Sequence, residues 1–93
     1  MYVVSYDISS NKLRNKIFKT LKNYGKHTQF SVFECTITKR QYNALYKELM
    51  SLMQGQPEGN IRIYDLCEMC SKNIRVIGVP DEPKEEDEDI VVI

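Results

Sequence analysis

A chain of 93 residues, 42% of them hydrophobic, has room for a single hydrophobic core and not for two. No apolar run approaches the roughly 20 residues that a membrane helix needs, so no membrane association is expected. The net charge of zero conceals a segregation: twelve Lys/Arg face six Asp/Glu up to Val79, whereas seven acids face Lys84 alone from Pro80 onward.

A basic body suits a polyanionic partner, and equally serves plain solubility. Tyr2 to Asp7 is a short run of β-formers, expected as a strand buried on both faces. The start of the chain lacks the basic segment of a secretory leader, which makes the cytoplasm the expected compartment. Three cysteines in such a chain argue against a disulfide scaffold. Ser9, Ser10 and Asn11 offer N-caps for a helix carrying Leu13, Ile17, Leu21 and Tyr24 at helical spacing, with Gly25 expected at its C-cap. Thr28 to Ile37 reads as one strand, alternating Val32 with Phe33 and Cys35. Thr38-Lys39-Arg40-Gln41 is a capping box opening a second helix with a Tyr42, Leu45, Leu49, Leu52/Met53 stripe, ended by Gly55 and Pro57.

Ile61 to Leu66 and Ile74 to Gly78 read as two further strands. Asp81 to Asp89 has no apolar period and reads as a solvated linker, before the β-branched Ile90-Val91-Val92-Ile93. Those four residues are expected to pair with a sheet edge, the chain's own or a partner's. The expected organisation is thus a domain over 1–79 and, over 80–93, an acidic linker with a terminal strand. This count is one strand short of β-α-β-β-α-β. The expected fold is nevertheless an α+β ferredoxin-like sandwich, an antiparallel sheet with both helices on one face. Gly25–Ile37 and Ile61–Leu66 are assigned to the centre of its sheet.

Asp7 closes a strand and precedes a helix start, so its carboxylate sits at the rim where ligands collect. It is a candidate Mg²⁺ ligand, or alternatively a loop aspartate bonding the Ser9 or Ser10 amide. No second acid lies near it in sequence, and two copies related by a two-fold axis would supply one. The first helix carries Lys12, Arg14, Lys16, Lys19 and Lys22 without an acid among them, a pattern suited to a phosphate backbone. Cys67-Glu68-Met69-Cys70 is a lone CxxC, with too few further ligands for zinc and, on this strand assignment, no following helix for a thioredoxin-type motif. Thiols packed in a tight turn are the expectation there, and His27 is expected at the surface.

Tyr6-Asp7-Ile8, Lys12-Leu13-Arg14-Asn15-Lys16, Tyr24-Gly25, Gln29-Phe30-Ser31-Val32-Phe33-Glu34, Ile61-Arg62-Ile63-Tyr64 and Leu66-Cys67-Glu68-Met69-Cys70, in this order, resemble the CRISPR-associated protein 2 family, the small partner of the spacer integrase. The resemblance runs from Met1 to about Gly78. It implies a two-fold dimer of ferredoxin-like domains, with the carboxylate matching Asp7 assigned to Mg²⁺ shared between subunits. It also implies a role in spacer acquisition with the integrase, on double-stranded DNA or RNA, and metal-dependent cleavage in some members. Tyr6, Arg14, Ser31 and Phe33 match positions around that catalytic site. Leu13 and Asn15 interrupt a basic run that is often richer in arginine in the family. Replacing arginine by lysine gives up bidentate phosphate contacts, which favours scaffolding over catalysis. The competing expectations are a ribonuclease toxin of the virulence-associated D type and a non-catalytic module binding a small molecule.

Overall fold

Alternation along β1 (Tyr2–Asp7) sends Tyr2, Val4 and Tyr6 into the core and leaves Val3 and Ser5 half-buried on the other side. In the computed structural model, which describes residues 1–78, helices cover only one face of the sheet, so the strand expected to be buried on both faces is buried on one. Ser10 caps α1 (Asn11–Lys22), its hydroxyl accepting from the Leu13 amide at 3.3 Å. Leu13, Ile17, Phe18 and Leu21 bury the inner face of that helix.

The helix closes on Asn23 rather than Gly25. Gly25 is required for space instead: a Cβ there would lie 2.4 Å from the Cys35 sulfur and 2.6 Å from the Glu34 carbonyl oxygen. The long strand expected over Thr28–Ile37 is a hairpin. Its arms are β2 (Lys26–Gln29) and β3 (Val32–Cys35), joined at Phe30-Ser31, with a register irregularity between His27 and Gln29. This hairpin supplies the strand missing from the sequence count. Thr38 and Gln41 form the expected capping box at α2 (Lys39–Met53), with reciprocal bonds of 3.1 and 2.9 Å. Leu45 and Leu49 fill the core from that helix.

Strand β4 (Asn60–Asp65) pairs antiparallel along the whole of β1, and the sheet order is β2-β3-β1-β4. That order, with all neighbours antiparallel and the helices as crossovers, is the ferredoxin-like arrangement. Among the described residues, Ile61–Leu66 therefore lies at an edge and not at the centre, which β1 and β3 occupy. Ile74–Gly78 forms no strand. Within residues 1–78 no sheet edge pairs with it, and Val76 and Ile77 are exposed. A short helix, α3 (Glu68–Lys72), precedes it.

His27 is buried, not superficial. Its ring centroid stands 5.1 Å from Phe18 and 5.0 Å from Phe33, and its Nε2 lies 2.7 Å from the Phe30 carbonyl oxygen. The residues assigned to an acidic linker and terminal strand lie outside the described ones. Among the described residues, no helix is long and apolar enough to cross a membrane.

Candidate functional site

Asp7 is the last residue of a central strand, and it is exposed. Strand pairing places it on the open face of the sheet, level with Asn60 and in line with Val3 and Ser5. The loop before β4 closes against it. Gly59, at φ +99, lets that loop approach, because a Cβ would lie 2.9 Å from the Ile8 side chain and 3.2 Å from the Asp7 carbonyl oxygen. One residue earlier, Glu58 accepts a 2.6 Å hydrogen bond from the Ser9 hydroxyl. Glu58 is thus a second acid beside the Asp7 segment, 51 positions away in sequence, where no local motif could reveal it.

The other residues expected at this site divide by side of the sheet. Tyr6 and Phe33 lie on the covered face, Phe33 with no exposed surface and Tyr6 with 5%. Burial pushes the Tyr6 hydroxyl up to about 12, opposed by the positive charge of Arg14. Tyr6 therefore stays protonated near neutrality and is no general base. Ser31, half-buried, accepts the Tyr6 amide through its backbone carbonyl at 3.0 Å and so fixes the hairpin turn against the end of β1. Of Asp7, Tyr6, Ser31 and Phe33, only Asp7 is an exposed residue.

Helical geometry sorts the cations. At 3.6 residues per turn, Lys12, Lys16 and Lys19 fall on one stripe, while Arg14 projects from nearly the opposite side. The three lysines are exposed, and Arg14 is half-buried. Its Nη1 donates to the Ile8 carbonyl at 2.9 Å and its Nη2 to Asn11 Oδ1, while its buried Nε finds no partner. Arg14 thereby ties down the β1–α1 loop directly after Asp7. Lys12 and Lys16 also line a polar groove of about 380 Å³ with Ser10, Ser51, Gln54 and Gln56.

As for metal, no group of three or more His, Cys, Asp or Glu side chains is assembled among the described residues. The donor chemistry of Asp7 still fits Mg²⁺, which accepts one or two carboxylates and keeps several waters. Cys35 is buried, which pushes its thiol up to about 11, whereas Cys67 and Cys70 are exposed and not packed in a turn.

Among the described residues, a four-stranded antiparallel sheet backed by two helices, with an open face ending at an exposed carboxylate, defines the chain as a ferredoxin-like α+β protein. The family described as CRISPR associated protein Cas2 matches residues 1–74. A Chloroflexus aurantiacus protein named CRISPR-associated endoribonuclease Cas2 1 is 39% identical over 92 residues, spanning 99% of this chain and 98% of the relative. A Methanospirillum hungatei protein, CRISPR-associated endoribonuclease Cas2 2, is 40% identical over 76 residues, covering 82% of this chain and 83% of its own. The crystal structure of a hypothetical protein from Thermus thermophilus superposes with a TM-score of 0.74 at 32% identity, covering 89% of this chain and 95% of that one. Cas2 of Streptococcus pyogenes shares the fold, with a TM-score of 0.71 at 24% identity over 83% of this chain and 98% of its own. The chain belongs to the CRISPR-associated Cas2 family.

Proposed function

We propose that the chain acts in CRISPR adaptation as a homodimer that binds duplex nucleic acid and supports spacer acquisition together with the integrase. The observation carrying this reading is the exposed stripe of Lys12, Lys16 and Lys19 on a helix without any acidic residue. Like charges at such spacing repel one another and weaken the helix slightly. A polyphosphate partner removes that repulsion and releases its own counterions on binding. The homodimer draws support from the sheet. Its open face carries Val3 and Val32, both half-buried, beside the half-exposed Tyr64.

A second reading, metal-dependent cleavage of RNA or DNA, is favoured by the exposure of Asp7 and by relatives named endoribonucleases. Asp7 would hold Mg²⁺, with its counterpart in a second copy supplying the other carboxylate. Bound there, the ion would polarise the phosphodiester and lower the pKa of a coordinated water. Arg14 holds the loop that orients Asp7, and Gly59 brings the Glu58 loop against it. Tyr6 and Phe33 support the strand from beneath.

Asp7→Asn separates the two readings, keeping the shape while removing the negative charge that a hard cation needs. Dimerisation, duplex binding and spacer acquisition should persist, while any Mg²⁺-dependent cleavage is lost. A folded, dimeric Asp7→Asn protein that fails to support acquisition would reverse the order and put the chemistry first.

A further inference from the structure

The CxxC segment is a built pair of sulfurs rather than a turn filled with thiols. Cys67 is the N-cap of α3 and Cys70 lies in its first turn. The Cys70 amide donates to the Cys67 sulfur at 3.3 Å. The proximity of the two thiols lowers the pKa of Cys67 from its ordinary value and raises that of Cys70. Both residues are exposed, so neither thiol is serving as core packing. Cys67 and Cys70 instead sit on the first turn of a short helix, where no helix was expected.

The position has a structural consequence. Residue 66, immediately before the pair, is pinned to the start of the chain: its amide donates to the Met1 carbonyl at 2.8 Å, and the terminal ammonium donates to the Leu66 carbonyl at 3.1 Å. The pair therefore sits where the chain leaves the sheet, fixed on its N-terminal side and followed by the exposed Val76 and Ile77. Cysteines at i and i+3 on one turn are within reach of a disulfide.

We propose that Cys67 and Cys70 form an exchange-active dithiol that is reversibly oxidised to an intramolecular disulfide by low-molecular-weight disulfides. The Cys67 thiolate attacks one sulfur of the small disulfide, forming a protein mixed disulfide and expelling the first small thiolate. The Cys70 thiol then gives up its proton to solvent, and its thiolate attacks the Cys67 sulfur. A second small thiolate leaves as the protein disulfide closes. Two protein thiols are oxidised, and one small disulfide is reduced to two thiols. Closure locks the first turn of α3 where the chain departs from the sheet. This inference is independent of Asp7 and of the lysine stripe.

The whole 93-residue protein is equilibrated with oxidised and reduced glutathione, quenched with acid and digested with trypsin. Both thiols lie in the single tryptic peptide Ile63–Lys72, and Cys35 lies in another. The wild type should yield the 63–72 peptide lighter by two hydrogen masses, reversible by excess reduced glutathione. Cys70→Ser should instead accumulate a glutathione adduct on Cys67, having no resolving thiol. Iodoacetamide should modify Cys67 faster than Cys70 near pH 7, because the thiolate is the reactive form. Wild-type protein that accumulates stable glutathione adducts without closing the peptide, or that stays fully reduced, would overturn the proposal. Equal alkylation rates at the two cysteines would also overturn it.

Discussion

Replacing Arg14 by alanine separates a phosphate contact from a loop clamp. The guanidinium donates to the Ile8 carbonyl and to Asn11 and stands on the side of α1 away from the lysine stripe. A hydrogen bond from a charged donor is worth about 1.5–3 kcal/mol net. The site is half-buried, so water recovers part of that, which leaves a loss of roughly 1–2 kcal/mol for Arg14→Ala. In a domain of this size each kcal/mol lowers the melting temperature by about 4–8 °C. Thermal melting followed by circular dichroism should show such a drop. The log–log salt dependence of duplex binding, measured well below the melting temperature, should keep its wild-type slope. Arg14→Lys should recover little stability, because an ammonium cannot span two acceptors with a planar fork. An Arg14→Ala protein of unchanged stability whose salt slope falls by about 0.9, the value of one lost phosphate contact on DNA, would refute the clamp.

Truncation after Val79 should weaken the dimer, if residues 90–93 add as a strand to the partner's sheet. Sedimentation at low micromolar concentration checks this, and an equally dimeric truncated protein would count against it. Alkaline titration should expose the buried hydroxyl and thiol. The folded-state values of Tyr6 and Cys35 are raised by burial from 10.0 to about 12 and from 9.0 to about 11. The unfolded chain therefore releases these protons first, and their contribution to stability is whole below about pH 9 and declines as pH climbs toward 12. Tyr6→Phe should flatten the upper part of that decline in denaturant melts across the alkaline range.

Periodicity and capping made β1, α1 and α2 legible, because each carries its signal within a few consecutive residues. The β2–β3 hairpin is not legible in the sequence, for a physical reason. Its two-residue connection is Phe30-Ser31, with none of the Asn-Gly or Asp-Gly chemistry that marks tight hairpins, and no described non-glycine residue has a positive φ. Helix α3 has five residues, too few to display a period. The burial of His27 depends on rings brought in from α1 and β3, which its polar sequence neighbours do not disclose. Asp7 was legible because a carboxylate ending an apolar strand must emerge at the rim. Glu58 was not, since only strand pairing brings its loop there. Sequence also grouped Arg14 with the lysines, whereas the path of the β1–α1 loop gives its guanidinium a different task.

The claim that the acid-free lysine stripe grips a phosphate backbone is tested most directly by the salt dependence of duplex binding. The measurement compares the wild type with a protein in which Lys12, Lys16 and Lys19 are all alanine. These side chains are exposed, so their loss should leave folding intact. Each lost phosphate contact on DNA should make the slope of log K against log salt less negative by about 0.9, roughly 2.7 for three contacts per protomer, irrespective of duplex sequence. A triple variant that binds with the wild-type slope and affinity would contradict the account and place the nucleic-acid surface elsewhere on the molecule.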